Sequence, residues 1–431
     1  MKKAFLIAGM ILAISFMGCS KSQKTDTAAD QSEEATQGVV AEAPSASCQT
    51  TFDSDMTESA WSDANNEFGM AMLRELPADQ SAVFSPYSIQ RAMGMVLDGG
   101  CGATAAELRA ALKLPDGNGN GAAGLSVEKK MLAAQNDSQI IDIDNHLWVE
   151  QKYTLLDSYK SRMQSDYSAE PTTLDFVNEA EKSRITINQY ITDKTHDRIH
   201  DILPEGSINA LTRLVLTNAV YFKAPWEISF NPEATKKADF ITSTGTIQVD
   251  MMHHGKDHRV YMDDSLYAID LDFQDSPFSF MVILPKVGED GDVAAALSRV
   301  ETGLTAQSLR EMREKMITGP VSLDMPKFKL EGGSSIRAIF EKFGVHTAFS
   351  HADFSGMSGV PDLYLSDVFH KAFIEVDEKG AEAAAATAAV MMKRSMIPPK
   401  PIEIKVDHPF LFSIIERETG TALFFGRITR I

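Results

Sequence analysis

The chain is 431 residues long, 44% of them hydrophobic, and sets 41 basic side chains against 60 acidic ones for a formal net charge of −19 at pH 7. That acidity argues against a nucleic-acid binder, which needs a basic face to neutralise phosphates. The length exceeds what one core usually fills, yet no Pro/Gly-rich linker interrupts residues 56–431, so a single large body is expected there.

Lys2 and Lys3 precede an apolar run of fourteen residues, Ala4–Met17. A membrane-spanning helix needs about 20 such residues, so the run reads as the apolar region of a secretory signal. It ends in Gly18-Cys19, a small residue before a cysteine, which is the lipoprotein-processing pattern. Residues 1–18 are then a signal peptide and Cys19 the lipidated terminus, with ordinary secretion as the alternative. From Ser20 to about Ser47 large apolar side chains are almost absent. Residues 19–55 are therefore expected to form the anchor cysteine and a disordered tether that holds the body off a membrane. Export would put Cys48 and Cys101 in an oxidising compartment, where a disulfide is open to them. The sequence leaves their approach undecided.

Trp61, Ala64, Phe68, Ala71 and Met72 recur at helical spacing and predict a first helix over Met56–Leu76. A short strand begins at Val83 and stops at Pro86; Ser88 is expected to cap a second helix through Leu97. After a glycine turn, Asp98–Ala103, the run Thr104-Ala-Ala-Glu107 reads as a capping box for a third. Ile140–Val149 and the strongly apolar Leu214–Phe222 read as strands, with helices over Leu155–Ser165 and Glu179–Thr195. Farther on, Leu266–Phe273, Phe278–Leu284 and Val321–Phe328 read as strands, interrupted by helices at Val293–Val300 and Ser334–Phe343. Phe369–Val376, Ile402–Val406, Phe410–Ile415 and Ala422–Ile428 complete the strands. Helices gather early and strands late without βαβ alternation, which predicts an α+β fold with mainly antiparallel sheets.

No HExxH, CxxC, P-loop, GxGxxG or GxSxG occurs, so an enzyme has no constellation to stand on, and neither a cofactor nor a metal is expected. His253, His254 and His258 cluster, and read as a chance surface group without a supporting cysteine or carboxylate pattern. Asp116-Gly-Asn-Gly-Asn-Gly121 starts like a calcium loop, but its twelfth position is Val127, so it reads as a glycine turn.

One stretch stands apart. Val376–Ser395 holds Gly380, then a tract of small residues from Ala381 to Ala389 broken by Glu382 and Thr387, and closes on Lys393, Arg394 and Ser395. Propensity alone makes it a helix. Its alternate positions Ala381, Ala383, Ala385, Thr387 and Ala389 are all small, so it also suits a strand sliding between two others.

An ordered set of segments decides between these readings. It comprises Phe84-Ser-Pro-Tyr-Ser-Ile89, Asn218-Ala-Val-Tyr-Phe-Lys-Ala-Pro-Trp226, Met281-Val-Ile-Leu-Pro285, Met325-Pro-Lys-Phe-Lys329 and Phe354-Ser-Gly-Met357. It continues with His370-Lys-Ala-Phe-Ile-Glu-Val-Asp-Glu-Lys-Gly380, Asp407-His-Pro-Phe-Leu-Phe412 and Leu423-Phe-Phe-Gly-Arg-Ile428. In these the chain resembles the serpin family from about Met56 to Ile431. The resemblance implies one α+β domain of about nine helices around three sheets, with an exposed reactive loop near the C-terminus. Ser85, Ser88, Asn218 and His370 resemble the polar cluster where the central sheet parts, and Trp226 the tryptophan where loop insertion begins. Glu378 and Gly380 match the hinge, and Ala381, Ala383, Ala385 and Thr387 would face inward on insertion.

The activity so implied is suicide inhibition by a monomer: a serine protease forms an acyl-enzyme on the bait bond, and the cleaved loop then inserts as a new strand. Fourteen residues from Gly380 to Arg394 at ~3.3 Å each reach roughly 46 Å. Family spacing sets the bond at Arg394–Ser395, which suits the acidic pocket of a trypsin-like protease. Lys393–Arg394 is the second choice, and Met391 or Met392 would serve other proteases. The alternatives are a non-inhibitory binding module and an inhibitor of an Arg-specific cysteine protease. The expected place is a bacterial cell envelope.

Overall fold

The computed structural model describes residue 48 and residues 54–133, 139–381 and 400–431. In chain order their elements are α1 (Glu58–Glu75), β1 (Ala82–Phe84), α2 (Pro86–Gly99), α3 (Gly102–Ala111), α4 (Asn120–Leu132), β2 (Ile140–Glu150), α5 (Asp157–Tyr167), β3 (Thr172–Leu174) and α6 (Ala180–Lys194). There follow β4 (Leu214–Pro225), β5 (Lys236–Thr242), β6 (Gly245–Met262), β7 (Leu266–Asp272), β8 (Phe278–Pro285), α7 (Val293–Gly303), α8 (Ala306–Lys315), β9 (Ile317–Pro326) and β10 (Phe328–Ser335). Last come α9 (Arg337–Lys342), α10 (Ser355–Ser358), β11 (Leu365–Val376), β12 (Gly380–Ala381), β13 (Ile402–Lys405), β14 (Phe410–Glu416) and β15 (Ala422–Ile428). The α+β class is as expected.

Three sheets result, two of which share a strand. The central sheet runs β10-β11-β4-β2-β3, with β12 wedged between β11 and β4 at one end. A second sheet, β1-β15-β14-β8-β7-β6, continues through the eighteen-residue β6 into a third made of β5, β6, β9 and β13. Helix α2 lies between layers, against β15 on one side and β2 and β4 on the other. On the opposite face, Ile187 and Ile191 of α6 join Trp148, Val215, Ala219, Phe369 and Phe373 in a separate apolar cluster over the central sheet.

Local chemistry accounts for most boundaries. Thr57 caps α1 by accepting the Ala60 N–H, and Trp61, Ala64, Phe68 and Met72 form its buried face. The cap of α2 is Ser85, which accepts the Ser88 N–H at 3.1 Å, with Pro86 at the first helical position. This corrects the assignment of the cap to Ser88, which lies in the first turn.

The capping box at Thr104 is likewise not formed. Helix α3 starts earlier, at Gly102; Thr104 Oγ1 accepts the Asp353 N–H and Glu107 accepts those of His346 and Thr347, so tertiary loops claim both side chains. Where one strand was expected over Val321–Phe328, Pro326 ends β9 and the chain turns at Lys327 into β10. That strand takes Ser334 and Ser335 from the predicted helix, because they pair with His370 and Phe369 of β11; a Cβ on Gly333 before them would stand 2.6 Å from Lys371 Cα. In residues 116–121, Gly119 turns the chain with φ +70°, and a Cβ on Gly121 would sit 2.6 Å from the Tyr167 ring.

Cys48 and Cys101 are joined in a disulfide with their Cα atoms 4.4 Å apart, which settles the pairing the sequence left open. The C-terminal Phe-Gly-Arg run is also explained. Arg427, buried, meets Glu301 at 2.8 Å, and the Phe412 ring lies against Gly426 where a side chain would stand. Gly426→Ala should therefore cost about 1–3 kcal/mol through overpacking, read as a lower denaturant midpoint at unchanged slope.

Candidate functional site

Strands β4 and β11 are neighbours and run parallel, from Leu214↔Leu365 to Val220↔Ala372. Asn218 stands opposite His370 on one side and Asn145 of β2 on the other, so three polar side chains form one row across three strands. The N-terminus of α2 brings Ser85 and Ser88 beneath that row.

The hydrogen bonds define the protonation state. The Ser85 N–H donates to His370 Nε2 at 3.0 Å, so Nε2 is bare and Nδ1 carries the proton it gives to Asn218 Oδ1. Asn218 Nδ2 donates to Ser88 Oγ and Asn145 Oδ1, and Ser88 Oγ donates to Asn145 Oδ1 at 2.9 Å. Burial pushes the His370 imidazole down to about 3, so it is neutral at physiological pH. The row is a connected polar plug at the middle of the seam.

At the far end the seam is already open. Strand β12 enters between β11 and β4, antiparallel to both, with Ala381 opposite Val376 and Ala224, and Gly380 opposite Pro225. Gly380 leaves no room for a Cβ, which would overlap the Ala224 carbonyl oxygen and stand 2.7 Å from Pro225 Cα. Ala381 is 1% exposed.

The residues before it are pinned to the segment after β4. The Trp226 N–H donates to Lys379 O at 2.9 Å, the Phe230 N–H to Glu378 O at 2.8 Å, and Trp226 Nε1 to Asp377 O at 2.8 Å. Trp226 itself stacks on Phe273 with centroids 4.8 Å apart. Glu378 is clamped by Thr235 Oγ1 at 2.7 Å and Lys327 Nζ at 2.8 Å. Burial opposes its charge, but the Lys327 ammonium and the Thr235 hydroxyl outweigh burial and hold the carboxyl below its ordinary value.

Ser85, Ser88, Asn218 and His370 thus meet in one cluster, and Trp226, Glu378, Gly380 and Ala381 in a second at the open end. Ala383, Ala385, Thr387, Arg394, Ser395 and Cys19 lie outside the described residues. Sequence reasoning missed Asn145, Thr235 and Lys327. Lys327 lies within the Met325–Lys329 segment that carries the resemblance, but its ion pair with Glu378 and the roles of Asn145 and Thr235 come only from the register and the strand corner.

His253 alone behaves as the surface group expected, pairing with Asp324 at 2.6 Å. His254 and His258 are buried, each 7% exposed, and bonded to one another.

Known proteins share this architecture. A family model described as Serpin (serine protease inhibitor) matches residues 63–431. An uncharacterized serpin-like protein of Thermococcus kodakarensis is 36% identical over 368 residues, 85% of this chain and 84% of its own. Leukocyte elastase inhibitor A of Mus musculus is 33% identical over 377 residues, 85% of this chain and 98% of its own. Human thyroxine-binding globulin complexed with thyroxine superposes with a TM-score of 0.76 at 26% identity, covering 87% of this chain and 99% of that one.

Two outcomes follow from the geometry. Asn218→Ala strands the His370 Nδ1–H in the core and should cost about 1–3 kcal/mol, measured by equilibrium unfolding. Glu378→Gln should loosen the hinge by about 0.5–1 kcal/mol, discounted because Lys327 is partly exposed. The clamp's contribution is present above the ordinary carboxylate value of 4.5 and lost as pH falls below it. Wild type and the Gln variant should therefore converge in thermal stability below about pH 4.

Proposed function

The chain belongs to the serpin family, and on that premise we propose that it is a suicide-substrate inhibitor of trypsin-like serine endopeptidases. It acts as bait and trap, and catalyses nothing. The observation that carries the reading is β12: two residues of the hinge already lie between β4 and β11, small, buried and antiparallel to both neighbours.

The attacking serine adds to the carbonyl of Arg394, the Ser395 amine leaves, and the chain is freed at that bond. The strand begun at Gly380 and Ala381 then continues down the seam. Ala383, Ala385 and Thr387 follow Ala381 at alternate positions in the sequence and on insertion would share its inward face, where their small volume needs no new cavity. Arg394 supplies the cation for an acidic specificity pocket.

We also propose that the body is exported and lipid-anchored through Cys19 at a bacterial cell envelope. The Cys48–Cys101 bridge supports an oxidising location. The likeness to thyroxine-binding globulin supports a second reading, a binding protein that keeps the fold and traps nothing.

Incubation with trypsin separates the two. The inhibitor gives a covalent band stable in SDS, and the binding protein gives only cleaved chain or none. Arg394→Ala should abolish that band, and its persistence would move the bait bond. Ala385→Arg should convert the inhibitor into a plain substrate, because burying a lone guanidinium costs several kcal/mol. Cys19→Ala should move the protein from the membrane fraction to the soluble one.

A further inference from the structure

Behind the hinge stands a pair of imidazoles that the trapping reaction does not use. Phe230, whose N–H holds Glu378 O, is 2% exposed, and its ring lies flat on the His254 ring with centroids 4.1 Å apart. His254 in turn bonds His258, Nε2 to Nε2 at 2.9 Å. His258 also bonds the Asp270 backbone. The only backbone group there able to favour its charged form is the carbonyl, so Nδ1–H donates to it and Nε2 is left to accept the His254 Nε2–H. His254 Nδ1 is then a bare lone pair, buried and without a partner. The arrangement is complete only while both rings are neutral. A proton added anywhere creates a buried cation and an N–H with no acceptor.

The charged neighbours do not rescue it. On β6 these are His253, already paired with Asp324 of β9, together with Lys256 and Asp257. From β7 come Asp270, held by Arg259 at 3.2 Å, and Asp272, which meets Arg417 at 3.3 Å. Glu227 lines the adjoining 250 Å³ cavity with His258, Asp257, Asp270 and Asp272. Burial holds the His254 imidazole down to about 3 and lowers His258 as well, while it lifts Asp270 to about 6.

We propose that His254 and His258 are positioning residues for the hinge: as a neutral pair they brace Phe230, and proton uptake by the pair releases the 226–230 segment to which residues 377–379 are bonded. The inference rests on the assignment of 377–380 as the hinge. The brace is at full strength above the ordinary histidine value of 6.5 and weakens as pH falls below it. An opened pair takes up a proton between pH 7.5 and 5.0 that the closed pair refuses, which favours opening by roughly 10- to 30-fold.

The test follows amide hydrogen exchange at Trp226 and Phe230 in the free, full chain, corrected for intrinsic rates, at pH 7.5 and 5.0. No protease is present, so a chain that traps nothing can still carry the brace. The wild type should lose protection about tenfold. His254→Phe/His258→Gln keeps the stack and a donor for the Asp270 carbonyl but cannot ionise, and should change less than about twofold. An unchanged acid response in this variant assigns the effect to Asp270 and overturns the proposal. Equal loss of protection at both pH values makes the pair merely structural and also overturns it. Should the double variant fail to fold, titration of the two imidazoles by NMR in the wild type decides: His254 should stay neutral to below pH 5 and His258 should titrate below its ordinary value, and ordinary values near 6.5 for both would refute the brace.

Discussion

Strands β4 and β11 are long neighbours that run in the same direction, so their ladder is parallel, with slanted and slightly weaker bonds. A chain that came between them antiparallel to both would replace that ladder with two antiparallel ones. Strand β12 does this over two residues. On the proposed mechanism, a longer inserted strand would exchange the parallel ladder for two antiparallel ones, at the cost of parting the seam. On that reading, the groups around the seam either hold it shut or would guide what enters it.

What holds it shut is polar. Asn145, Asn218, His370 and the serines of α2 are linked in one hydrogen-bonded row across the centre of the closed seam. An apolar plug would seal as firmly, but it could offer nothing to an incoming backbone. Hydroxyl, amide and imidazole groups can exchange partners, which on the proposed mechanism would ease entry of a new strand. The apolar cluster under α6 adds a second restraint, since Val215 and Ala219 of β4 and Phe369 and Phe373 of β11 share it across the seam.

What guides entry lies at the open end. The peptide groups of 377–379 are bonded to 226–230, the Glu378 carboxylate to Lys327 and Thr235, and the ring of Phe230 to the histidine pair. These contacts differ in kind: backbone bonds are indifferent to pH, the carboxylate clamp fails in acid, and the histidine brace fails earlier. The hinge is thus held by groups whose strengths separate as pH falls.

Much of this was legible in the residues. The face of α1, the buried β4, the acidic surface and the small alternate residues after Gly380 follow from spacing and composition, and the ordered segments led to the fold. Where the sequence misled, a tertiary partner had outbid a local one. Thr104 and Glu107 suit a cap but hold the 346–353 loop, and Ser334 and Ser335 suit a helix start but pair with β11. The extent of strand β6 is hidden in the sequence because His254 and His258 occupy inward positions where an alternating pattern calls for apolar side chains. Side-chain type and period are properties of the chain and can be read from it. Which strand lies beside which, that the β4–β11 seam is parallel, that Asn145 completes the plug and that two histidines close over Phe230 depend on contacts between residues far apart in sequence, and only the folded structure decides them.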